Sequence, residues 1–385
     1  MISRIRLWYH NWDIGYALKI WVIWMVCIMA VSATMIARVP AGNAHSLSAW
    51  GEELSVWSNW DGNNYVMIAR DGYDADTPLP LHAFFPLLPV LMNGLHQITG
   101  ISHQFAGVVI SRLATLGAII YLINLLKLDF SRKIAFRAAW FMLLFPTSFF
   151  FFSIFTESLF LFVTLASWYY ARVGKWWASG IFAFFAPLTR LLGVFILPVQ
   201  AWYFYQRNRK NISYKTFINA LPLALGVLGF GTWIVFNWID TGNPLHFIQV
   251  QEYWSAHGRG GYHNPLWILG TNLWRTLRDI PTRSIFVLGY FDVWFSLATA
   301  GTLTWAAMRR LIPWEYILWG FTMITIPIIS GSLVSMPRYV LTVFPIYLVL
   351  SQLASKDWFE KVYTLGSTLL LANLLVMWLF AHWVA

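Results

Sequence analysis

The sequence has few charged residues: only 11% of its 385 residues are Asp, Glu, Lys or Arg, whereas a soluble globular chain carries about 25%. Hydrophobic residues make up 58% of the chain, more than a water-soluble fold of this length can bury, so lipid must serve as its solvent. This excludes a water-soluble enzyme and a disordered chain. Cysteine is nearly absent too, since Cys27 is the only one, which excludes an intrachain disulfide and a cysteine-based metal site.

Several motifs of soluble enzymes are also missing. The sequence has no phosphate-binding GxxxxGK[ST] loop, no HExxH zinc motif and no glycine-rich dinucleotide turn. These absences argue against the common nucleotide-binding and zinc-hydrolase classes. The nine histidines show no spacing typical of metal ligands. His82, His246, His257 and His263 lie in predicted outer loops and are interpreted as polar loop residues rather than metal ligands.

Basic residues are plentiful, and they fall in short clusters between apolar runs. Most of the 26 Lys and Arg residues belong to six such clusters. Under the positive-inside rule these clusters lie on the cytoplasmic side of a membrane. The net charge of +10 is therefore a topology signal and does not predict a nucleic-acid partner. The clusters are Arg4, Arg6 and Lys19; Lys127, Arg132, Lys133 and Arg137; Arg172 and Lys175; Arg207, Arg209, Lys210 and Lys215; Arg309 and Arg310; and Lys356 and Lys361.

The apolar runs predict an all-α polytopic membrane protein with eleven spans, since each span needs about 20 apolar residues. The first basic cluster places the N-terminus inside, and an odd number of spans then places the C-terminus outside. Residues 1–385 then form a single transmembrane domain with two long outer loops, 38–104 and 239–283. The predicted spans are 16–37, 105–126, 134–152, 154–171, 176–189, 191–206, 217–238, 284–307, 312–331, 339–353 and 362–384.

Two apolar segments are too short for ordinary spans. Residues 176–206 contain Pro187, Thr189 and Arg190 near their middle, and each half is about 14 residues, or roughly 21 Å of helix. We expect a short hairpin or re-entrant pair with Arg190 at its tip. Residues 84–98, within the first outer loop, are apolar over a similar length, which favours a helix that lies on the membrane surface.

Six charged residues are predicted at or just below the outer membrane face. Ionisable groups at this depth are costly, and they usually face a cavity or a functional pathway. Two interpretations stay open: the groups pair with each other and hold helices together, or they form a polar substrate site. The six residues are Arg38, Asp61, Arg112, Glu157, Arg190 and Arg338.

The segment around Asp61 predicts a short helix that begins at Asn59 or Asp61 and ends at Gly72. In this position Asp61 is either an N-cap or a general base, and the local pattern does not separate the two. Asp74 and Asp76 form a DxD pair that could hold a divalent metal through oxygen ligands. Because three-residue matches are common, the pair does not support a metal site, and no cofactor is predicted.

Four segments, in order along the chain, resemble the PIG-V family, the second mannosyltransferases of glycosylphosphatidylinositol assembly and their bacterial relatives. They match that family's Trp-Asp pair with its Phe-Phe-Pro-Leu stretch, its Pro–aromatic turn ending in Glu-Ser-Leu-Phe, its Thr-Arg-x-x-Gly and its Pro-Arg-Tyr. The chain departs from the pattern at Gly62 and at Leu191-Leu192, and the second outer loop has no clear match. The matching segments are WDGNNYVMIARDGY with HAFFPLLPVL, FPTSFFFFSIFTESLF, PLTRLLG and MPRYVLTVFP.

The resemblance implies a GT-C fold, that of multi-spanning glycosyltransferases with an active site at the outer or lumenal face. Such enzymes take a sugar from a polyprenyl-phosphate carrier and invert its anomeric centre. The resemblance implies Asp61 as the catalytic base and two arginines on the lipid phosphate. Together with the charge pattern, it predicts the following substrate-binding residues: Trp60, His82, Arg112, Glu157, Arg190, Arg338 and Tyr339.

The expected function is therefore transfer of a sugar, mannose by the resemblance, from a polyprenyl-phosphate donor to a lipid or glycan acceptor. The expected partners are this donor, the acceptor and membrane lipids. A transporter or flippase, or a ligase, of lipid-linked sugars is the alternative, although the two halves of the sequence show no inverted repeat. The absence of long extra loops favours a bacterial plasma membrane over the endoplasmic reticulum.

Overall fold

In the computed structural model, all regular secondary structure in the described part of the chain is helical. The described residues are 12–37, 55–73, 80–210, 216, 218, 220–257, 264–279, 288–380 and 382–384. The α-helices are α1 (Ile14–Ile36), α2 (Asp61–Asp71), α3 (Leu87–Thr99), α4 (His103–Leu126), α5 (Arg132–Leu143), α6 (Glu157–Val173), α7 (Trp176–Thr189), α8 (Ile196–Asn208), α9 (Ala224–Thr241), α10 (His246–Gln249), α11 (Pro265–Asp279), α12 (Leu288–Met308), α13 (Trp314–Ile329), α14 (Met336–Leu341), α15 (Phe344–Leu353) and α16 (Asp357–Leu379).

Four of the described helices are long and apolar enough to cross a membrane: Ile14–Ile36, His103–Leu126, Leu221–Thr241 and Asp357–Leu379. Three shorter apolar helices, Trp176–Thr189, Trp314–Ile329 and Phe344–Leu353, accompany them. An all-α membrane fold is therefore confirmed. The number of eleven spans stays a prediction.

Proline residues account for two places where a predicted span is broken. The predicted span 134–152 is helical only to Leu143, because Pro146 follows within the turn that leads to the 3-10 helix Ser148–Phe151. The predicted span 339–353 is divided between α14 and α15, and Pro345 stands in the first turn of the second helix. Proline lacks the backbone N–H that a continuous helix needs, but it is well suited to a first turn.

The segment 84–98, predicted as a helix on the membrane surface, contains the helix α3 (Leu87–Thr99), and its position relative to the membrane stays a prediction. One side of it is buried through Leu88 and Met92, while Val90 and Ile98 on the other side are largely exposed. This two-sided pattern is typical of a helix at a membrane interface. The hairpin expected around Arg190 is also present: α7 ends at Thr189, Arg190 is extended, and a 3-10 turn leads into α8.

Helix α6 lies at the centre of the fold, packed along α4 on one side and along α7 on the other. Its side chains Phe160 and Trp168 are fully buried. The helix begins at Glu157 and has 17 residues, so its two ends are about 25 Å apart. At the far end, Nη1 and Nη2 of Arg172 each donate a hydrogen bond of 2.6 Å to the Asp129 carboxylate. We call the region around Asp129 and Arg172 the basic end.

Cysteine labelling can test the predicted topology. In a Cys27→Ser background, a cysteine at Thr99, the exposed last residue of α3, should react with a membrane-impermeant thiol reagent in intact cells. A cysteine at Arg209, just after α8, should react only after permeabilisation, because its basic cluster is predicted to be cytoplasmic. Labelling at position 209 in intact cells, with none at position 99, would mean that the true topology is the inverse of the predicted one.

Candidate active site

Two carboxylates and two guanidinium groups meet at the end of α6 that begins with Glu157. Arg338 Nη1 donates a hydrogen bond of 2.6 Å to Asp61 Oδ2, and Arg338 Nε lies 3.0 Å from Glu157 Oε1. Arg190 Nη2 approaches the same Glu157 oxygen at 2.9 Å. These four residues, which we call the charged cluster, come from four segments that are far apart in the sequence.

Asp61 does not cap α2, so the prediction of a cap at Asn59 or Asp61 was wrong. The N-cap residue is Trp60, no side chain caps the helix, and Asp61 is the first helical residue. Asn59 contributes only its carbonyl oxygen, which accepts a hydrogen bond from Gly62 N at 3.2 Å. The Asp61 carboxylate turns instead towards Arg338, because a guanidinium partner binds it more strongly than a backbone amide does. The predicted end of the helix at Gly72 is confirmed.

Gly62 explains how α2 comes so close to the turn before α6. A Cβ atom at this position would lie 3.3 Å from the carbonyl oxygen of Ile154 and 3.5 Å from that of Trp57. A backbone hydrogen bond of 2.8 Å, from Ile154 N to Trp57 O, joins the same turn to the segment before α2. The departure from the family pattern at Gly62 thus lets the start of α2 lie against the backbone that leads to Glu157.

Two residues that the sequence analysis missed hold the short helix α14, which carries Arg338. Asp292 Oδ1 accepts a hydrogen bond from Met336 N at 3.0 Å, at the first residue of α14. Thr147 Oγ1 donates to Pro337 O at 3.0 Å. The only sequence signal for Asp292 was an acidic residue inside a predicted span.

Aromatic rings surround the charged cluster. The Arg190 guanidinium lies 5.0 Å from the Tyr339 ring centroid. Arg338 lies 5.2 Å from the ring of Phe155 and 5.7 Å from that of Trp383. Trp60 meets Trp383 edge to face at 5.5 Å. Trp60 and Tyr339 therefore adjoin the cluster as the sequence analysis expected, while Phe155 and Trp383 were missed.

Exposure differs sharply among the four charged groups. The Glu157 side chain is fully buried, and those of Arg338 and Arg190 are 8% and 11% exposed, but that of Asp61 is 28% exposed. The two positive and two negative charges balance, as buried ions require. Among the described residues, Arg190 Nη1 has no hydrogen-bond partner. The cluster thus places an accessible carboxylate, that of Asp61, beside the Arg190 guanidinium, whose Nη1 can still donate a hydrogen bond.

Arg112 lies apart from these contacts. Its guanidinium carbon is 3.7 Å from the centroid of the Phe152 ring. Within the described ranges it forms no ion pair, and its Nε has no hydrogen-bond partner. None of the acidic residues that the structure describes pairs with Arg112.

His82 is held by Asp240 of α9. Its Nε2 lies 2.7 Å from Asp240 Oδ2, and its ring meets that of His246 at a centroid distance of 4.9 Å. The contact joins the two long segments predicted as outer loops. Burial lowers the pKa of His82 below its ordinary value of 6.5, and this effect outweighs the opposing effect of Asp240.

The lowered pKa of His82 predicts a pH-dependent stability. In the unfolded chain His82 takes up a proton as the pH falls through 6.5, whereas in the folded protein it stays neutral to a lower pH. The contribution of neutral His82 to the free energy of unfolding is therefore complete above pH 6.5 and decreases below it. We expect a lower Tm in detergent at pH 5.5 than at pH 7.5. His82→Gln should reduce the difference, whereas His382→Gln, at an exposed position, should not. An unchanged difference in His82→Gln would contradict the prediction.

No group of three or more His, Cys, Asp or Glu side chains suited to a metal occurs among the described residues. Arg38, Asp74 and Asp76, which the sequence analysis singled out, lie outside these residues. Whether the DxD pair could hold a metal therefore stays untested.

Comparison with known proteins assigns the family. A family model described as Mannosyltransferase (PIG-V) matches residues 18–221, more than half of the chain. The chain belongs to the PIG-V mannosyltransferase family. The matched range includes Asp61, Glu157 and Arg190 of the charged cluster, while Arg338 lies beyond it. A search of curated protein sequences gives no match for this PIG-V family member.

Solved structures show the fold of this PIG-V family member. ArnT from Cupriavidus metallidurans, bound to undecaprenyl phosphate, is 13% identical with a TM-score of 0.51 over 94% of this chain and 76% of its own. The GT-C fold is therefore confirmed. The Archaeoglobus fulgidus oligosaccharyltransferase, in complex with Zn and sulfate, is 14% identical with a TM-score of 0.42 over 90% of this chain. The PIG-V family member spans only 52% of that oligosaccharyltransferase chain.

Proposed function

We propose that this protein is a membrane glycosyltransferase that moves a sugar from a polyprenyl-phosphate donor to a hydroxyl group of a lipid or glycan acceptor. One observation carries the proposal: the accessible carboxylate of Asp61 is bound to the buried guanidinium of Arg338, beside Arg190 and Glu157. A base next to two anion-binding groups is what a transfer from a phosphate-linked sugar requires.

In the proposed reaction, Asp61 accepts the proton of the acceptor hydroxyl as its oxygen attacks the anomeric carbon of the sugar. The bond between that carbon and the phosphate oxygen breaks, and the polyprenyl phosphate leaves with the bonding electrons. A single displacement of this kind inverts the anomeric centre. Negative charge grows on the departing phosphate, and two guanidinium groups with their planar N–H donors are well suited to bind it.

Binding of the donor at Arg338 would also change the hydrogen bonding of Asp61. A phosphate bound at Arg338 competes with the Asp61 carboxylate for the same N–H groups, because Nη1 now donates to Asp61. As the arginine turns to the phosphate, the carboxylate becomes free to accept a hydrogen bond from the acceptor. Glu157 stays fully buried between the arginines and keeps them in position.

We further propose mannose as the sugar, the outer face of a bacterial plasma membrane as the location, and the long outer segments as the place of acceptor contact. The family description supports mannose, and the undecaprenyl phosphate bound to ArnT supports a polyprenyl carrier. The charge distribution of the sequence supports the outer face.

A transfer assay tests the proposal. Purified protein in proteoliposomes receives radiolabelled polyprenyl-phosphate mannose and a bacterial lipid extract as acceptor, with polyprenyl-phosphate glucose as the comparison donor. We expect label in a new glycolipid of inverted anomeric configuration, and none with Asp61→Asn protein. Movement of the intact donor across the bilayer without transfer would support the flippase alternative instead.

A further inference from the structure

A cleft of about 570 Å³ opens at the basic end, between α1, α5 and the start of α16. Three basic residues of α5 line it, Arg132, Lys133 and Arg137, together with the acidic Glu360. It is remote from the charged cluster: Arg132 follows directly on the turn whose Asp129 binds Arg172, at the end of α6 opposite Glu157. The cleft is therefore a separate site.

The charges of the cleft do not balance. Arg137 is neutralised by Glu360, whose Oε2 lies 2.8 Å from Arg137 Nη2. Asp13 is shared between Arg132 and Lys127, so it cannot cancel both of them. Lys133 is exposed and forms no ion pair with any described residue. The N-terminus of α5 adds the positive end of a helix dipole at the same place. A net positive charge thus remains, open to an anion.

Aromatic rings form the other wall of the cleft. Tyr16 of α1 and Phe136 of α5 stack with their centroids 3.7 Å apart, and Trp140 lies one helical turn further along α5. The Arg132 guanidinium lies 4.9 Å from the Phe136 ring. Rings next to basic groups suit a ligand with a charged head and an apolar body, as at membrane interfaces.

We propose that the cleft binds the headgroup of an anionic phospholipid from the cytoplasmic leaflet. The phosphate lies between Lys133 and Arg132, and the glycerol and upper acyl chains lie against Tyr16, Phe136 and Trp140. Basic pockets between helices on the cytoplasmic side are suited to such lipids, since this leaflet carries the negative surface charge. The bound lipid joins α1 to α5 on the side of the membrane opposite the charged cluster.

Native mass spectrometry of the full chain in neutral detergent tests the proposal, with phosphatidylglycerol as the probe and phosphatidylcholine as the zwitterionic comparison. We expect one saturable phosphatidylglycerol site with a higher Tm on binding, and no equivalent phosphatidylcholine site. Lys133→Gln should weaken binding about fivefold and Lys133→Glu roughly 25-fold, the effects of one and two charges at a membrane surface. The matched control Arg309→Gln removes one exposed charge from another predicted cytoplasmic cluster and should change binding less than about twofold.

Three results would overturn the proposal. Equal weakening by Lys133→Gln and Arg309→Gln would mean that only the overall positive charge attracts the lipid. Equal binding of phosphatidylcholine would remove the role of the anionic headgroup. An equal Tm increase from inorganic phosphate at the same concentration would make the cleft a site for free anions. Because Lys133 is exposed, its variants are expected to fold, so each result is decisive.

Discussion

Replacement of Asp61 by asparagine is expected to lower the turnover of sugar transfer by about two to four orders of magnitude, the usual range for loss of a general base. Asparagine keeps the size of the side chain and can still accept a hydrogen bond from Arg338, so the fold and donor binding should survive. It cannot accept the proton of the acceptor hydroxyl. Asp61→Glu should be impaired as well, since one additional methylene moves the carboxylate by about 1 Å.

The measurement is a single-turnover assay with donor bound before the acceptor is added, which separates the chemical step from donor affinity. Asp71→Asn is the matched control, because Asp71 lies at the other end of the same helix, is exposed and pairs only with the exposed Arg70 in the described contacts. It should transfer sugar at nearly the wild-type rate. A stable Asp61→Asn protein with near-normal turnover would reject Asp61 as the base and make Glu157 the next candidate.

Replacement of Arg338 should act mainly on donor affinity. Arg338 reaches Asp61 through Nη1 and Glu157 through Nε, and a lysine ammonium cannot reproduce this two-sided contact. Arg338→Lys should therefore fail nearly as badly as Arg338→Ala. Loss of a charge-assisted pair in a partly buried site costs about 2–4 kcal/mol, so the Kd for the donor should rise by roughly 30- to 1,000-fold.

Equilibrium binding of polyprenyl-phosphate mannose to wild-type and variant protein measures this effect, with Tm recorded in parallel. Arg172→Lys is the control, since it removes a similar paired guanidinium at the basic end and should leave donor affinity unchanged. Arg190→Lys provides a second test, at a residue that contacts the Glu157 carboxylate and no other carboxylate among the described residues. If donor affinity is unchanged in both Arg338→Lys and Arg190→Lys, the two arginines do not bind the donor, and their role is to hold helices together through ion pairs.

The residues of the charged cluster could be found from the sequence because each is a charge where apolar residues are expected. All four were predicted at or just below the outer membrane face, Asp61 in the first outer loop and Glu157, Arg190 and Arg338 next to the ends of predicted spans. Charges on one face of the membrane share one surface whatever the order of the helices. What the sequence could not show is which carboxylate meets which arginine. Their exposure could not be predicted either, because it depends on the packing of segments up to 277 residues apart.

The supporting residues were missed for a related reason. Asp292 binds the first backbone amide of α14, and Trp383 packs against Trp60, but neither contact leaves a local pattern. Trp60 itself has a φ of 58°, a backbone conformation that is rare for a non-glycine residue. Such strain persists only where the surroundings enforce it. Sequence periodicity contains no information about contacts of this kind.

The spacing of the charged cluster along the chain has a consequence for the order in which the protein is made. Arg190 follows Glu157 within about 2 to 7 s at ordinary rates of synthesis, whereas Arg338, 277 residues after Asp61, follows it only after roughly 15 to 55 s. Glu157, which ends fully buried, thus receives a counter-ion soon after it is inserted. Asp61 stays partly exposed to water in the finished fold. Its carboxylate can therefore remain solvated until Arg338, the last residue of the charged cluster to be synthesised, is in place.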